Sequence, residues 1–386
     1  MSHQLSDSSS LRASPGHAAQ VSTRVAFFIA GFGVSAWAPL VPFVKTRIGL
    51  DDGALGLLLL CLGVGSILAM PVAGGLATRF GCRRVIACAA VAMCAMLPLL
   101  ATVTSLPVLV VALFLSGAAI GCLDCTVNIQ AVIVERASGK AMMSGFHGLY
   151  SLGGIAGAAG MTGLLSVGVS PWRAALCVSC LALIATAYAT PRALGYGSER
   201  SGPAFAMPRG IVLLIGLFCF IVFLAEGAML DWSAVFLSSV RQVPSIYAGL
   251  GYVAFAATMT VGRLTGDAVV GRLGRQTVVT GGALLAAAGL ALATMVPAWP
   301  AALAGYALVG AGCANIVPVM YSLCGRQTAM PEHIAVPAIS TLGYAGILVG
   351  PALIGFVAHG TGLSIALLGV ALLLLGVAAS ARRLRV

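Results

Sequence analysis

The sequence predicts an all-α integral membrane protein with twelve transmembrane helices in two six-helix bundles. Three observations predict it. Hydrophobic residues make up 60% of the 386 positions and charged ones only 8%, with a mean hydropathy of +1.05, so most of the chain is built for a hydrocarbon solvent. The apolar runs recur at lengths suited to crossing a bilayer. The chain also repeats itself at about half its length.

A hydrocarbon core about 30 Å thick takes roughly 20 apolar residues per helix. Such runs fall near 24–44, 53–77, 85–103, 107–134, 141–168, 172–190, 209–238, 245–269, 277–297, 299–322, 334–358 and 361–381. Ahead of them, the Ser-rich, polar stretch 1–20 is expected to be a disordered cytoplasmic tail. The first run is long enough to span and has no small-residue cleavage site, so it is expected to stay as the first helix rather than leave as a signal peptide. Residues 21–190 form the first bundle. The Gly/Pro/Ser-rich, charged segment 191–208 is the cytoplasmic linker, and 209–386 form the second bundle with a short basic tail.

Basic residues orient the chain. With both termini in the cytoplasm, only Lys45, Arg47, Arg173 and Arg241 of the 21 Lys and Arg fall outside, which the positive-inside rule reads as N-in, C-in with twelve crossings. The net charge of +11 then reflects topology and contact with membrane lipids, not nucleic-acid binding. Most of the eleven Cys lie inside spans and read as small apolar side chains. Cys122/Cys125 and Cys177/Cys180 have metal-like spacing without His beside them, so no metal or cofactor is expected.

The duplication is visible in short echoes. RFGCRRVI at 79–86 returns as RLGRQTVV at 272–279, GCLD at 121–124 as GCAN at 312–315, and Ala36-Trp37 aligns with Asp231-Trp232. Two similar bundles in one chain suit rocking about a central site, the arrangement of secondary transporters. Gly117/Gly121 and Gly153/Gly157 have the spacing that lets helices approach closely.

Polar residues inside the spans are costly and so mark candidate sites. Asp124 lies about ten residues, roughly 15 Å, from the inner end of the fourth span, and Asn128 is one turn further along. A turn centred near 137 brings Asp124 level with Ser151 and Asn128 level with His147, so these four are expected to form one polar cluster. With no Lys or Arg expected in the membrane core, neutralisation of Asp124 by a proton relieves the cost of its burial, which suits proton coupling. Structural hydrogen bonding between helices is the plain alternative. Glu226 on the seventh span is the second proton-coupling candidate, with Asp231 a turn further out. Asn315, in the echo of Asp124, is a candidate hydrogen-bonding residue for solute. Trp37 and Trp232 are candidates for stacking on a ring, or are members of the interfacial aromatic belt. Arg263 and Asp267, four apart, are expected to pair near the inner end of the eighth span, and with Arg79 and Arg83 to serve gating.

The six-plus-six plan and the basic, Gly-containing loops after the second and eighth spans resemble the major facilitator superfamily. Within it, GCLDCTVN, FHGLYSLGG, AEGAMLDW and GRLTGD resemble a bacterial branch of inner-membrane permeases related to fucose/proton symporters. The resemblance implies that a carboxylate on the fourth helix and an Asn four residues later lie at a sugar site, which Asp124 and Asn128 match. It also implies a carboxylate on the first helix, where this chain has GVSAWAP, and an aspartate before Arg79, where it has Thr78.

Phosphate loops, zinc motifs and nucleophile constellations are absent from the sequence in any suitable context, and an enzyme is not expected. A sensor would need a signalling output that the tails do not offer. Three expectations follow: a monomeric secondary transporter moving a small solute by alternating access, proton-coupled uptake of a sugar-like polar compound as its activity, and proton-driven export of amphipathic compounds as the alternative.

Overall fold

A computed structural model describes residues 15–50, 52–198 and 206–384. Among them, twelve helical spans are long and apolar enough to cross a membrane, and there are no strands. The first half comprises α1 (His17–Ser35), α2 (Val41–Ile48), α3 (Asp52–Phe80), α4 (Cys82–Leu100), α5 (Leu106–Ser138), α6 (Met143–Ser166) and α7 (Pro171–Ala189). The second comprises α8 (Gly210–Ser239), the short α9 (Ser245–Ala248), α10 (Leu250–Leu273), α11 (Arg275–Met295), α12 (Trp299–Cys313), α13 (Ile316–Cys324), α14 (Glu332–Thr361) and α15 (Leu363–Ser380). An even number of spans puts both ends of the described chain on one side, here called the terminal face.

Two spans are broken. Pro39 and Pro42 each remove a helical N–H, and the first span passes through a tight turn at Ala38–Leu40 between α1 and α2. In the tenth, Ala314 and Asn315 interrupt α12 and α13. Pro318 offers no N–H to the carbonyl four residues earlier, so the Ala314 oxygen is free for another donor. Hydropathy averaged over a window smooths over both breaks.

α1 begins at His17, inside the stretch expected to be tail. Its first turns are held by packing, with Ser22 donating to the Ala189 carbonyl at 2.9 Å and Gln130 donating to Thr23 at 3.0 Å. Residues 1–14 and 199–205 lie outside the described part, and with them most of the expected tail and seven residues of the expected linker. The preceding segment folds back on the first bundle: the N–H groups of Cys82 and Arg83 donate to the carbonyls of Tyr196 and Leu194. All eleven Cys are free thiols.

The duplication is written into the packing. A β-carbon at Gly117 or Gly153 would collide with the carbonyl of Leu62 or Phe28, and one at Gly310 or Gly346 with that of Phe255 or Phe220. Gly81 and Gly274 share a left-handed conformation, φ 81° and 78°, at the start of α4 and α11. These pairs all stand 193 residues apart. At that register Asn315 answers to Cys122 and Asp124 to Val317, so the GCLD/GCAN echo is two residues out of step with the packing.

Candidate functional site

The half-to-half interface is polar where α5 and α6 meet α10, α13 and α14. Asp124 on α5 is 9% exposed, and no hydrogen bond or ion pair reaches its carboxylate among the described residues. It lies within electrostatic reach of Tyr150, Tyr321 and Tyr344. One turn along, Asn128 donates to the backbone carbonyl of Asp124 at 2.9 Å, and its side-chain oxygen is buried without a partner.

Toward the terminal face an aromatic layer closes the site. Phe27 stacks on Phe146 at 5.6 Å and meets His147 at 5.2 Å, and His147 meets Tyr321 from the other half at 5.6 Å. All four are buried, and the Tyr321 hydroxyl is hydrogen-bonded to Ser340 at 2.7 Å. The Nε2 of His147 is buried with no partner. Tyr150, Ser151 and Tyr344, one turn further from that face, are only half-buried.

The expected four-residue cluster is not hydrogen-bonded together. Ser151 donates to the His147 carbonyl, and no bond joins Asp124 or Asn128 to His147 or Ser151 among the described residues. α5 runs on to Ser138 and the turn falls at 139–142, which shifts the level at which the two helices face each other.

Arg263 overturns two further expectations. It is 6% exposed, a cation in the interior where none was expected, and it does not pair with Asp267. Its guanidinium donates to Glu226 on α8 at 3.0 Å, to Ser151 in the other half at 3.1 Å, and to the free Ala314 carbonyl at 3.4 Å. Glu226 thus has a counter-ion in its own half, and Asp124 has none among the described residues.

Asp267 instead reaches across the interface and accepts from the backbone N–H groups of Ser144 and Gly145, both at 3.0 Å. Glu135 accepts from those of Met142 and Met143, so two carboxylates satisfy the unpaired donors at the start of α6. Arg136 of α5 pairs with Glu332 of α14 at 2.9 Å. These contacts close the terminal face. Arg83 donates to the Ala193 carbonyl and Arg79 lies over the Phe80 ring, both on the first half alone.

Asn315 donates to the Gly262 carbonyl at 3.0 Å and keeps its oxygen buried and unpartnered beside Gly266. Trp37 packs inside the first bundle among Leu97, Leu100 and Val178, and Trp232 lies against Gly355 of α14, so neither joins Asp124. Asp231 is exposed on α8, within electrostatic reach of Tyr252 on α10. Sequence reasoning missed the tyrosines, although a phenol inside a span signals a need for a polar partner.

The model of the Major Facilitator Superfamily matches residues 25–264. The chain belongs to this superfamily. It is 53% identical to an uncharacterised MFS-type transporter of Yersinia pestis, over 95% of this chain and 96% of that one. It is 34% identical to the membrane protein MosC of Rhizobium meliloti, over 89% and 84%. Among solved structures, the E. coli fucose:proton symporter FucP superposes with a TM-score of 0.76 at 17% identity, covering 95% of this chain and 98% of that one. The human organic anion transporter MFSD10 gives 0.74 at 16%, covering 95% and 99%. At these identities the likeness is one of fold. This superfamily member is a multi-pass membrane transporter.

Proposed function

We propose that this transporter takes up a small, polar, sugar-like solute across the bacterial inner membrane together with protons, with Asp124 as the proton-coupling group. The observation that carries this reading is the unequal treatment of two buried carboxylates. Glu226 is compensated by Arg263, whereas Asp124 sits at the interface between the halves with no counter-ion among the described residues. An uncompensated carboxylate in such a place is costly, and a proton removes the cost.

In this scheme solute enters from the face opposite the termini and rests on the aromatic layer. Asn128, His147, Ser151 and Asn315 supply hydrogen-bonding groups, several of them unsatisfied without solute. Protonated Asp124 tolerates closure around it, and deprotonation follows when the halves rock and water reaches it from the terminal face. Each state then has its own proton affinity, so a gradient biases the cycle. The fold similarity to a fucose:proton symporter supports this reading. Export of amphipathic compounds is the alternative, favoured by the apolar first helix and the fold shared with an organic anion transporter.

Proteoliposomes screened against sugars, cyclitols, nucleosides and drugs identify the solute. Asp124→Asn then tests the coupling: it keeps shape and hydrogen bonding but does not titrate. The expected result is solute exchange at near-normal rate with loss of accumulation under an imposed pH gradient. Normal accumulation in that variant would show that Asp124 is structural.

A further inference from the structure

We propose that a groove on the lipid-facing side of α3, α4 and α5 holds one acyl chain of an anionic phospholipid, whose phosphate is held by Arg79, Arg83 and Arg84. Two adjoining cavities carry the proposal. The first, of about 570 Å³, is apolar and lined by Leu76, Val85, Cys88, Ala92, Met96 and Cys122. The second, of about 360 Å³, lies at its terminal-face end and contains the three arginines with Thr78. Phe80 and Arg84 line both, so an apolar channel runs directly into a cationic mouth.

Size and charge both fit a lipid. The groove has the volume of a small-molecule site, about 300–1,000 Å³. From Arg84 to Met96 it follows α4 for about 18 Å, close to the roughly 15 Å of one leaflet in a core about 30 Å thick. It exists because Cys88, Ala89 and Ala92 leave the surface of α4 low.

No carboxylate lines either cavity among the described residues. Thr78 spends its hydroxyl on the Gly75 carbonyl and brings no negative charge. Arg83 is fixed by its Nε bond to Ala193 at 3.0 Å, which leaves its terminal nitrogens to other acceptors. Three guanidinium groups gathered without a counter-ion among the described residues suit a phosphodiester, whose oxygens match their planar donors. The bilayer is the source because a free anion fills only the mouth.

Native mass spectrometry of the full-length protein in mild detergent tests this with phosphatidylglycerol and phosphatidylcholine of matched chains. One phosphatidylglycerol is expected to be retained per protein at least tenfold more tightly than phosphatidylcholine. Arg79→Gln/Arg84→Gln is expected to weaken that retention by roughly 25-fold, at about fivefold per basic residue near an anionic headgroup. Cys88→Trp, which fills the groove and leaves the arginines in place, is expected to lose the lipid while melting normally; it decides the matter if the double variant does not fold. Equal retention of both lipids, undiminished retention in either variant, or displacement of phosphatidylglycerol by millimolar inorganic phosphate would each overturn the proposal.

Discussion

Arg263 lies ten residues from the end of α10, and its pairing with Glu226 places two charges in an apolar body. Removing one member of such a pair leaves the other uncompensated, at a cost of about 3–5 kcal/mol. Glu226→Gln and Arg263→Gln are each expected to lower the thermal stability of the purified protein by that order, and the double variant to recover much of the loss. Additive losses in the double variant would show that the two side chains do not interact. His147→Gln keeps a polar group but removes the ring that bridges Phe27 and Tyr321. It is expected to retain the fold and to transport several-fold more slowly in vesicles; unchanged transport would detach His147 from the solute path. Asp124, Asn128, His147 and Ser151 stood out in the sequence because a polar residue in an apolar run is expensive. Arg263 stood out only as an interfacial gating partner of Asp267, because the hydropathy window closed the eighth span at 269, whereas α10 continues to Leu273. Its bonds to Glu226 of α8, Ser151 of α6 and Ala314 at the break between α12 and α13 join segments remote in sequence, which no local pattern encodes.

Two arginines on the face opposite the termini show what the duplicated element does. Arg47 donates to the carbonyls of Leu100, Ala101 and Val103 at and just beyond the end of α4, and Arg241 to those of Ala293 and Thr294 near the end of α11. A helix leaves its last carbonyls unpaired and negative, and a guanidinium answers both needs. Arg47→Gln and Arg241→Gln are each expected to cost about 1–3 kcal/mol by leaving partly buried acceptors unsatisfied. Melting curves check this, and a neutral result at either site would reduce that contact to decoration. These residues were legible only as exceptions to the positive-inside count; their use as caps depends on loops that bring Arg47 to α4 and Arg241 to α11. The twelve spans were legible because hydrophobic length is a local property. The breaks at Ala38–Leu40 and Ala314–Asn315 were not, because a proline within a membrane helix is tolerated or disruptive according to what its neighbours supply.

At the scale of the molecule, the terminal face is shut by Asp267 on the start of α6 and by Glu332 on Arg136. Alternating access requires both contacts to break. Asp267→Asn combined with Glu332→Gln is expected to shift the population toward opening at this face, since both charge-assisted contacts are weakened while the residues keep their size. Spin labels on the terminal ends of α6 and α10 check this by the distance between them. An unchanged distribution would assign closure to the aromatic layer and apolar packing instead. Thr78 stands where the resemblance implies an aspartate before Arg79, and the cross-interface contacts at this face are made by Asp267 and Glu332 instead. In each of them the carboxylate comes from the second half and its donor from the first: the N–H groups of Ser144 and Gly145, or Arg136. The halves are therefore alike as scaffolds and opposite as partners. Produced as separate polypeptides, 1–198 and 206–386 are expected to find each other in preference to copies of themselves, because a pair of first halves lacks the acids and a pair of second halves lacks the donors.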